Sequence, residues 1–139
     1  MLTGHPPAAV EEARLRAAHA TPEAIARALA ARAEALADEK RLVAEAEARR
    51  AALVGRPGEP SPKTRFKRGE MSLADYRAFL AAKRAINAGI DPQSLQRARQ
   101  ERIVRAAESV LGRRLPSSVR GVFLAAVEEA AAAGETPAP

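Results

Sequence analysis

The side chains that commonly do chemistry in proteins are few in this chain. There is no cysteine, which excludes disulfides, thiolate nucleophiles and cysteine-ligated metal ions. The two histidines, His5 and His19, are too far apart to form the one-turn pair that binds a metal ion on a helix. We therefore expect no metal site, and we predict that both histidines are ordinary surface residues.

Neighbouring carboxylates offer another route to catalysis, because a close pair acts as general acid and base when burial raises one pKa. Such neighbours occur at Asp38 and Glu39, Glu45 and Glu47, and Glu128 and Glu129. Arginines or alanine-rich stretches surround them, which is typical of solvated helix faces with ion pairs. The chain also lacks the glycine-rich phosphate-binding motifs and the nucleophile motif of hydrolases. We predict that the protein is not an enzyme and uses no cofactor.

Positive charge is concentrated in the second half of the chain. Residues 61–120 hold fourteen basic and five acidic residues, whereas residues 1–60 hold nine of each, and the whole chain has a net charge of +6. A polyanion would neutralise such an excess, and nucleic acid is the abundant polyanion of cells. An alternative stays open, because 19 of the 23 basic residues are arginine and 35 residues are alanine, a usage that a GC-rich genome also produces.

One short basic segment surrounds an aromatic ring. Residues 55–69 (GRPGEPSPKTRFKRG) contain three prolines and three glycines, so we predict a flexible linker without a helix. Phe66 lies in its basic second half, where the ring either stacks on a base or packs against the next helix. The residues predicted to contact nucleic acid are Lys63, Arg65, Phe66, Lys67, Arg68, Arg84, Gln93, Gln96, Arg97, Gln100, Arg102, Arg105, Arg113 and Arg114.

Residues 81–100 (AAKRAINAGIDPQSLQRARQ) resemble a helix-turn-helix element of DNA-binding proteins. The turn would lie at Gly89, and the buried positions would be Ala85, Ile90, Leu95 and Ala98. The resemblance implies that four side chains suited to base-edge hydrogen bonds point outward: Gln93, Gln96, Arg97 and Gln100. Two features depart from the pattern, since the preceding helix starts as early as Leu73 and the following helix continues to Leu111.

Start and stop signals predict where the helices lie. Residues 8–20 favour a helix, and Thr21 with Pro22 begins a long second helix that ends near Val54. Leu29, Leu36 and Val43 recur at coiled-coil spacing in this helix, which predicts a helical hairpin, a helix docked on a partner or a supercoiled dimer. After the linker, three more helices are predicted over residues 72–89, 91–111 and 117–133.

The last two predicted helices each have a clear apolar side. The apolar side of the first of these helices consists of Ile103, Val104, Ala107, Val110 and Leu111. The apolar side of the second consists of Val119, Val122, Phe123, Ala126, Val127 and Ala130. No stretch alternates apolar and polar residues as a strand does. We predict an all-α protein with an N-terminal long helix or helical hairpin, a Pro/Gly linker and a C-terminal basic three-helix unit.

These patterns divide the chain into segments with different expected roles. They are a helical assembly segment over 1–54, a basic flexible linker over 55–70, a three-helix unit over 71–133 and a tail over 134–139. The alanine-rich helices predict protein partners and an oligomer or complex. The longest apolar run, residues 122–127, is far below the ~18 residues that span a membrane, and the N-terminus lacks a secretory signal. We therefore expect no membrane partner and a cytoplasmic location, or alternatively a virion.

The function predicted from the sequence is that of a nucleic-acid-associated helical accessory protein. It would contact the phosphates of DNA or RNA through its basic C-terminal half. The alternative is a structural or adaptor subunit of a large assembly, such as a phage particle, with no direct role in nucleic-acid binding.

Overall fold

The computed structural model describes residues 8–134, which form six α-helices and no β-strand. The helices are α1 (Ala8–His19), α2 (Pro22–Val54), α3 (Pro62–Lys67), α4 (Leu73–Gly89), α5 (Pro92–Leu111) and α6 (Ser117–Ala132). The all-α prediction is therefore confirmed for these residues. His5 and the predicted tail after Gly134 lie outside the described part of the chain.

Three helices begin at side-chain caps that lie where the sequence predicts the helix starts. Thr21 Oγ1 accepts a hydrogen bond from the Ala24 amide at 3.2 Å, at the start of α2. Ser72 Oγ accepts one from Asp75 at 3.1 Å at the start of α4, and Asp91 Oδ2 accepts one from the Ser94 amide at 3.0 Å at the start of α5. Each bond satisfies an amide in the first turn that has no carbonyl partner within its own helix.

The prediction that residues 55–69 contain no helix is wrong for the second half of this segment. Ser61 Oγ accepts a hydrogen bond from the Thr64 amide at 3.3 Å and caps α3. Pro62 occupies the first helical position, where its missing N–H costs no intrahelical bond. The proline therefore starts a helix of six residues instead of preventing one.

The chain divides into two compact units, and the divisions fall within α2 and α5. The first unit comprises Met1–Leu36 and Arg97–Pro139, and the second comprises Ala37–Gln96. These units contain different residues from the predicted segments 1–54, 55–70 and 71–133.

The first unit has a continuous apolar core. Its buried members are Ala24, Ala28, Leu29, Ile103, Val104, Ala107, Leu115, Val119, Phe123, Val127 and Ala130. The predicted apolar side of α6 is buried except for Val122, which is half-buried, whereas Val110 on α5 is 42% exposed. Leu29 of the predicted coiled-coil stripe is buried in this core, but Leu36 is 36% exposed.

Two bidentate ion pairs join α6 to other helices of the first unit. Arg16 of α1 donates to both carboxylate oxygens of Glu129, at 2.6 and 2.8 Å. Arg32 of α2 donates to both oxygens of Glu128, at 2.7 and 3.1 Å. Paired bonds of this kind fix orientation as well as distance. The hydrogen bonds from Arg16 also lower the pKa of the Glu129 carboxyl from its ordinary value.

The lowered pKa of Glu129 predicts an acid-dependent contribution to stability. Because the folded-state pKa lies below the unfolded one, the Arg16 pair stabilises the fold fully above the ordinary carboxyl pKa. That contribution is lost as pH falls through the folded-state pKa. We expect Glu129→Gln to be less stable than the parent protein at neutral pH and the difference to shrink in acid.

Urea unfolding at a series of pH values measures this difference, and Glu45→Gln is the matched control. Glu45 is exposed and makes no side-chain hydrogen bond or ion pair within residues 8–134, so its replacement should leave the pH profile unchanged. A Glu129→Gln deficit that persists undiminished in acid would contradict the prediction.

The second unit has few buried residues. Within residues 37–96 only Ala46 and Pro62 are buried, although α3 packs against α4. The larger side chains are half-buried or exposed, and the most exposed are Leu42 at 44%, Val54 at 47% and Leu73 at 50%. No helix in the described part of the chain is long and apolar enough to cross a membrane.

Candidate nucleic-acid interface

Three of the predicted phosphate-binding arginines contact other groups of the first unit. Arg102 donates to Glu34 at 3.0 Å, and Arg105 lies 3.4 Å from Glu101. Arg113 donates to the carbonyl oxygen of Ala18 at 2.9 Å and lies 3.2 Å from Nδ1 of His19. These guanidiniums already have partners, and a phosphate would have to compete with them.

Other arginines of the first unit follow the same pattern. Arg120 donates to Glu101 at 3.2 Å, so that this carboxylate of α5 also has a partner on α6. With the Arg16 and Arg32 pairs, the Arg102 and Arg120 contacts make arginine the residue that connects the helices of the first unit. Much of the positive charge of this unit is therefore neutralised within it. Arg27, Arg97 and Arg114 are exceptions, since they are exposed and have no side-chain partner within residues 8–134.

The basic residues of α3 differ in having no partners. Lys63, Arg65, Lys67 and Arg68 are exposed, and none of them makes a side-chain hydrogen bond or ion pair within residues 8–134. Over residues 61–84 seven basic residues stand against two acidic ones. We call the four cations at positions 63, 65, 67 and 68 the α3 cations. They form the densest group of unpaired charge among the predicted site residues.

The ends of α3 explain why these cations are tolerated so close together. Arg65 and Lys67 lie in its last turn, where the negative end of the helix dipole stabilises positive side chains. Gly69 then adopts φ +75°, a backbone conformation that favours glycine, and the Gly69 amide donates to the carbonyl of Phe66 at 3.0 Å. The chain thus turns directly after the basic residues, which leaves their side chains in solvent.

The aromatic residue of this segment stacks within the protein. The rings of Phe66 and Tyr76 lie 4.6 Å apart between centroids and are parallel within 4°. Tyr76 also contacts Phe79, at 6.2 Å and 24°. Of the two expectations for Phe66, packing against the next helix is therefore observed. The ring is half-buried and so retains exposed surface.

The helix-turn-helix resemblance covers residues whose burial does not match that element. Ala85, expected where the two helices cross, and Ala98, expected at another buried position, are exposed, and Ile90 and Leu95 are only half-buried. The expected base-reading side chains are exposed at Gln93, Gln96 and Arg97 and half-buried at Gln100. Because Gln93 and Gln96 lie in the second unit while Arg97 and Gln100 lie in the first, base reading by this group stays a prediction.

The basic residues of α4 are Arg77, Lys83 and Arg84, and only Arg84 is among the predicted site residues. Arg84 makes one long bond, 3.4 Å from Nε to the carbonyl oxygen of Leu80. Arg77 and Lys83 on α4 are exposed and have no side-chain partner within residues 8–134. Both residues are counted in the basic excess of residues 61–120. The positive charge of α4, next to that of the linker, was the sequence signal that pointed to them.

The histidine and one of the carboxylate pairs considered for metal or acid–base chemistry lie beside arginines in the described residues. His19 is half-buried beside Arg113, and within residues 8–134 no group of three or more His, Cys, Asp or Glu side chains is placed to hold a metal ion. Glu128 and Glu129 are each paired with an arginine, as expected for a solvated helix face.

Comparisons with known proteins add no further assignment. No protein-family model matches the chain, and no curated protein or solved structure matches it.

Proposed function

We propose that this protein is a non-enzymatic, nucleic-acid-associated helical protein whose second unit contacts phosphates. The observation that carries the proposal is the difference in pairing between the two units. The arginines that connect helices in the first unit have carboxylate or carbonyl partners, whereas the α3 cations have none within residues 8–134. The densest group of cations available to a polyanion therefore lies in residues 61–84.

Electrostatics supports this assignment of the α3 cations. Four positive side chains within six residues repel one another in the free protein, and an anion that binds them relieves that repulsion. A nucleic-acid backbone presents phosphates in a row and releases condensed counterions when cations replace them. Arg77, Lys83 and Arg84 on α4 extend the positive surface of the same unit. The N-terminal helical segment 1–54 is proposed to mediate assembly.

A salt titration tests the proposal with the full chain. Each phosphate contact lowers log K by about 0.7 per tenfold rise in salt for a single strand, so four contacts predict a slope of about −3. Fluorescence anisotropy of a labelled oligonucleotide, repeated across salt concentrations, measures that slope. Undetectable binding of single-stranded and duplex ligands at low salt would overturn the proposal.

A second candidate function is an adaptor or structural subunit, proposed because the second unit buries so little apolar surface. Leu42, Val54 and Leu73 are among its exposed apolar side chains, and a protein partner would cover them. This candidate predicts a second unit that becomes ordered or protected from proteolysis only within an assembly. Solution mass and limited proteolysis, measured beside the salt titration, separate the two candidates. A cytoplasmic or virion location belongs to the proposal in either case.

A further inference from the structure

Three of the four aromatic residues of the chain form one connected group in the second unit. Phe66 of α3 stacks on Tyr76 of α4, and Tyr76 contacts Phe79 one turn further along α4. The fourth aromatic residue, Phe123, is buried in the core of the first unit. We call the three connected residues the aromatic row. Its middle member, Tyr76, is the only tyrosine of the chain, which has no tryptophan.

The aromatic row is not enclosed in a core. All three rings are half-buried, and the buried residues of the second unit are limited to Ala46 and Pro62. A ring enclosed in a core, such as Phe123 at 1% exposure, has no surface left for a ligand. Here the rings are fixed by stacking on each other while part of their surface faces solvent.

Cations flank the end of the row formed by Phe66. Arg65 and Lys67 adjoin Phe66 in the sequence, and Lys63 lies one turn before it on the same side of α3. All three are exposed and without side-chain partners in residues 8–134. An aromatic surface within a group of cations is the combination that binds unpaired nucleobases, because the cations hold the backbone and the ring stacks on the base.

Resting on the proposed function, we infer that Phe66, held in place by Tyr76, is a stacking platform and that the preferred ligand is single-stranded nucleic acid. Phe66 ends the row and has one ring neighbour, so a base that stacks on its exposed surface extends an existing stack. The ring is already ordered by Tyr76, which lowers the entropy lost on binding. Bases inside a duplex have both faces covered by neighbouring pairs, whereas unpaired bases are free to stack.

The experiment compares three ligands with the full-length protein at one low salt concentration. They are a thymidine strand, an abasic strand with the same number of phosphates, and the thymidine strand in a duplex. Stacking predicts that the thymidine strand binds at least about fivefold more tightly than the abasic strand, since the phosphates of the two are matched. It also predicts tighter binding of the thymidine strand than of the duplex. The fluorescence of Tyr76 should change with the thymidine strand and not with the abasic strand.

Three substitutions locate the preference for the thymidine strand within the aromatic row. Phe66→Leu removes the terminal ring and keeps an apolar side chain, and it should reduce thymidine-strand affinity to that of the abasic strand. Phe79→Leu removes the ring at the other end of the row. It should change the affinity for the thymidine strand and the affinity for the abasic strand by no more than about twofold. Phe66→Tyr keeps a ring at the end and should retain the preference for the thymidine strand. Circular dichroism of each variant establishes that its helices are intact.

The outcomes separate this inference from the function on which it rests. If no ligand binds at low salt, the proposed nucleic-acid function is wrong, and the stacking platform with it. If the thymidine and abasic strands bind equally, or the duplex binds more tightly than the thymidine strand, phosphate contact remains and the stacking platform is wrong. A Phe66→Leu variant that retains helices and the full preference for the thymidine strand also overturns it.

Discussion

Phe123→Ala is expected to destabilise the first unit by about 3 to 5 kcal/mol, the range for truncating a buried phenylalanine. The side chain is 1% exposed and is the largest fully buried one. Four of the ten other buried residues in its core are alanines, which have no flexible side chains to move into the space. Since small domains are typically stable by only ~5 to 15 kcal/mol, this loss is a large part of the total.

Urea unfolding followed by far-ultraviolet circular dichroism measures this loss, and Phe79→Ala is the matched control. Phe79 undergoes the same chemical change at a half-buried position of the second unit, so its replacement should cost much less. Phe123→Leu keeps most of the side-chain volume, so its loss in free energy of unfolding should lie between those of Phe123→Ala and Phe79→Ala. Equal costs for Phe123→Ala and Phe79→Ala would show that the core is not centred on Phe123.

The helix boundaries were predictable from the sequence because helix ends depend on local interactions. Thr21, Ser72 and Asp91 each satisfy an amide three residues later, so the information lies within one turn. Pro62 was misinterpreted for a related reason. A proline ends a helix that precedes it but favours one that begins with it, and Ser61 at the cap position distinguishes the two cases.

The ion-pair partners were not predictable, because they depend on contacts between residues far apart in the sequence. Arg32 and Glu128 are separated by 96 residues, and Arg16 and Glu129 by 113. Composition assigns every arginine the same charge, whereas the packing of the helices determines which guanidiniums have partners. The sequence therefore predicted a basic C-terminal half, and the structure limits the densest unpaired charge to the second unit.

The stacking of Phe66 on Tyr76 lies between these cases. The two residues belong to neighbouring helices joined by a short turn, so a packing contact was one of two expectations for Phe66. The geometry of the stack depends on the position of α3. The sequence predicts a flexible linker where this helix lies. A prediction that identified α3 would have placed the aromatic ring and its flanking cations on one helix, which is the arrangement the proposed interface requires.

Replacing the α3 cations together should reduce nucleic-acid affinity by two orders of magnitude or more. On a single strand, the counterions released by each phosphate contact raise log K by about 0.7 at 0.1 M salt relative to 1 M salt. Four contacts therefore contribute a factor of ~600 to the binding constant. The variant carries glutamine at all four positions, K63Q, R65Q, K67Q and R68Q, because glutamine preserves helix propensity while removing charge. The slope of log K against log salt should fall in magnitude by about 3.

The matched control removes four arginines that already have partners: R102Q, R105Q, R113Q and R120Q. Both variants lose the same net charge, so a difference between them reflects the availability of the cations and not the overall field of the protein. The control should lose less than about tenfold in affinity, because these guanidiniums contribute mainly to the first unit, where each surface pair is worth about 0 to 1 kcal/mol of stability. Anisotropy titrations measure both affinities, and urea unfolding establishes that both variants are folded. If the control loses as much affinity as the α3 variant, binding follows net charge alone, and the assignment of the interface to α3 is wrong.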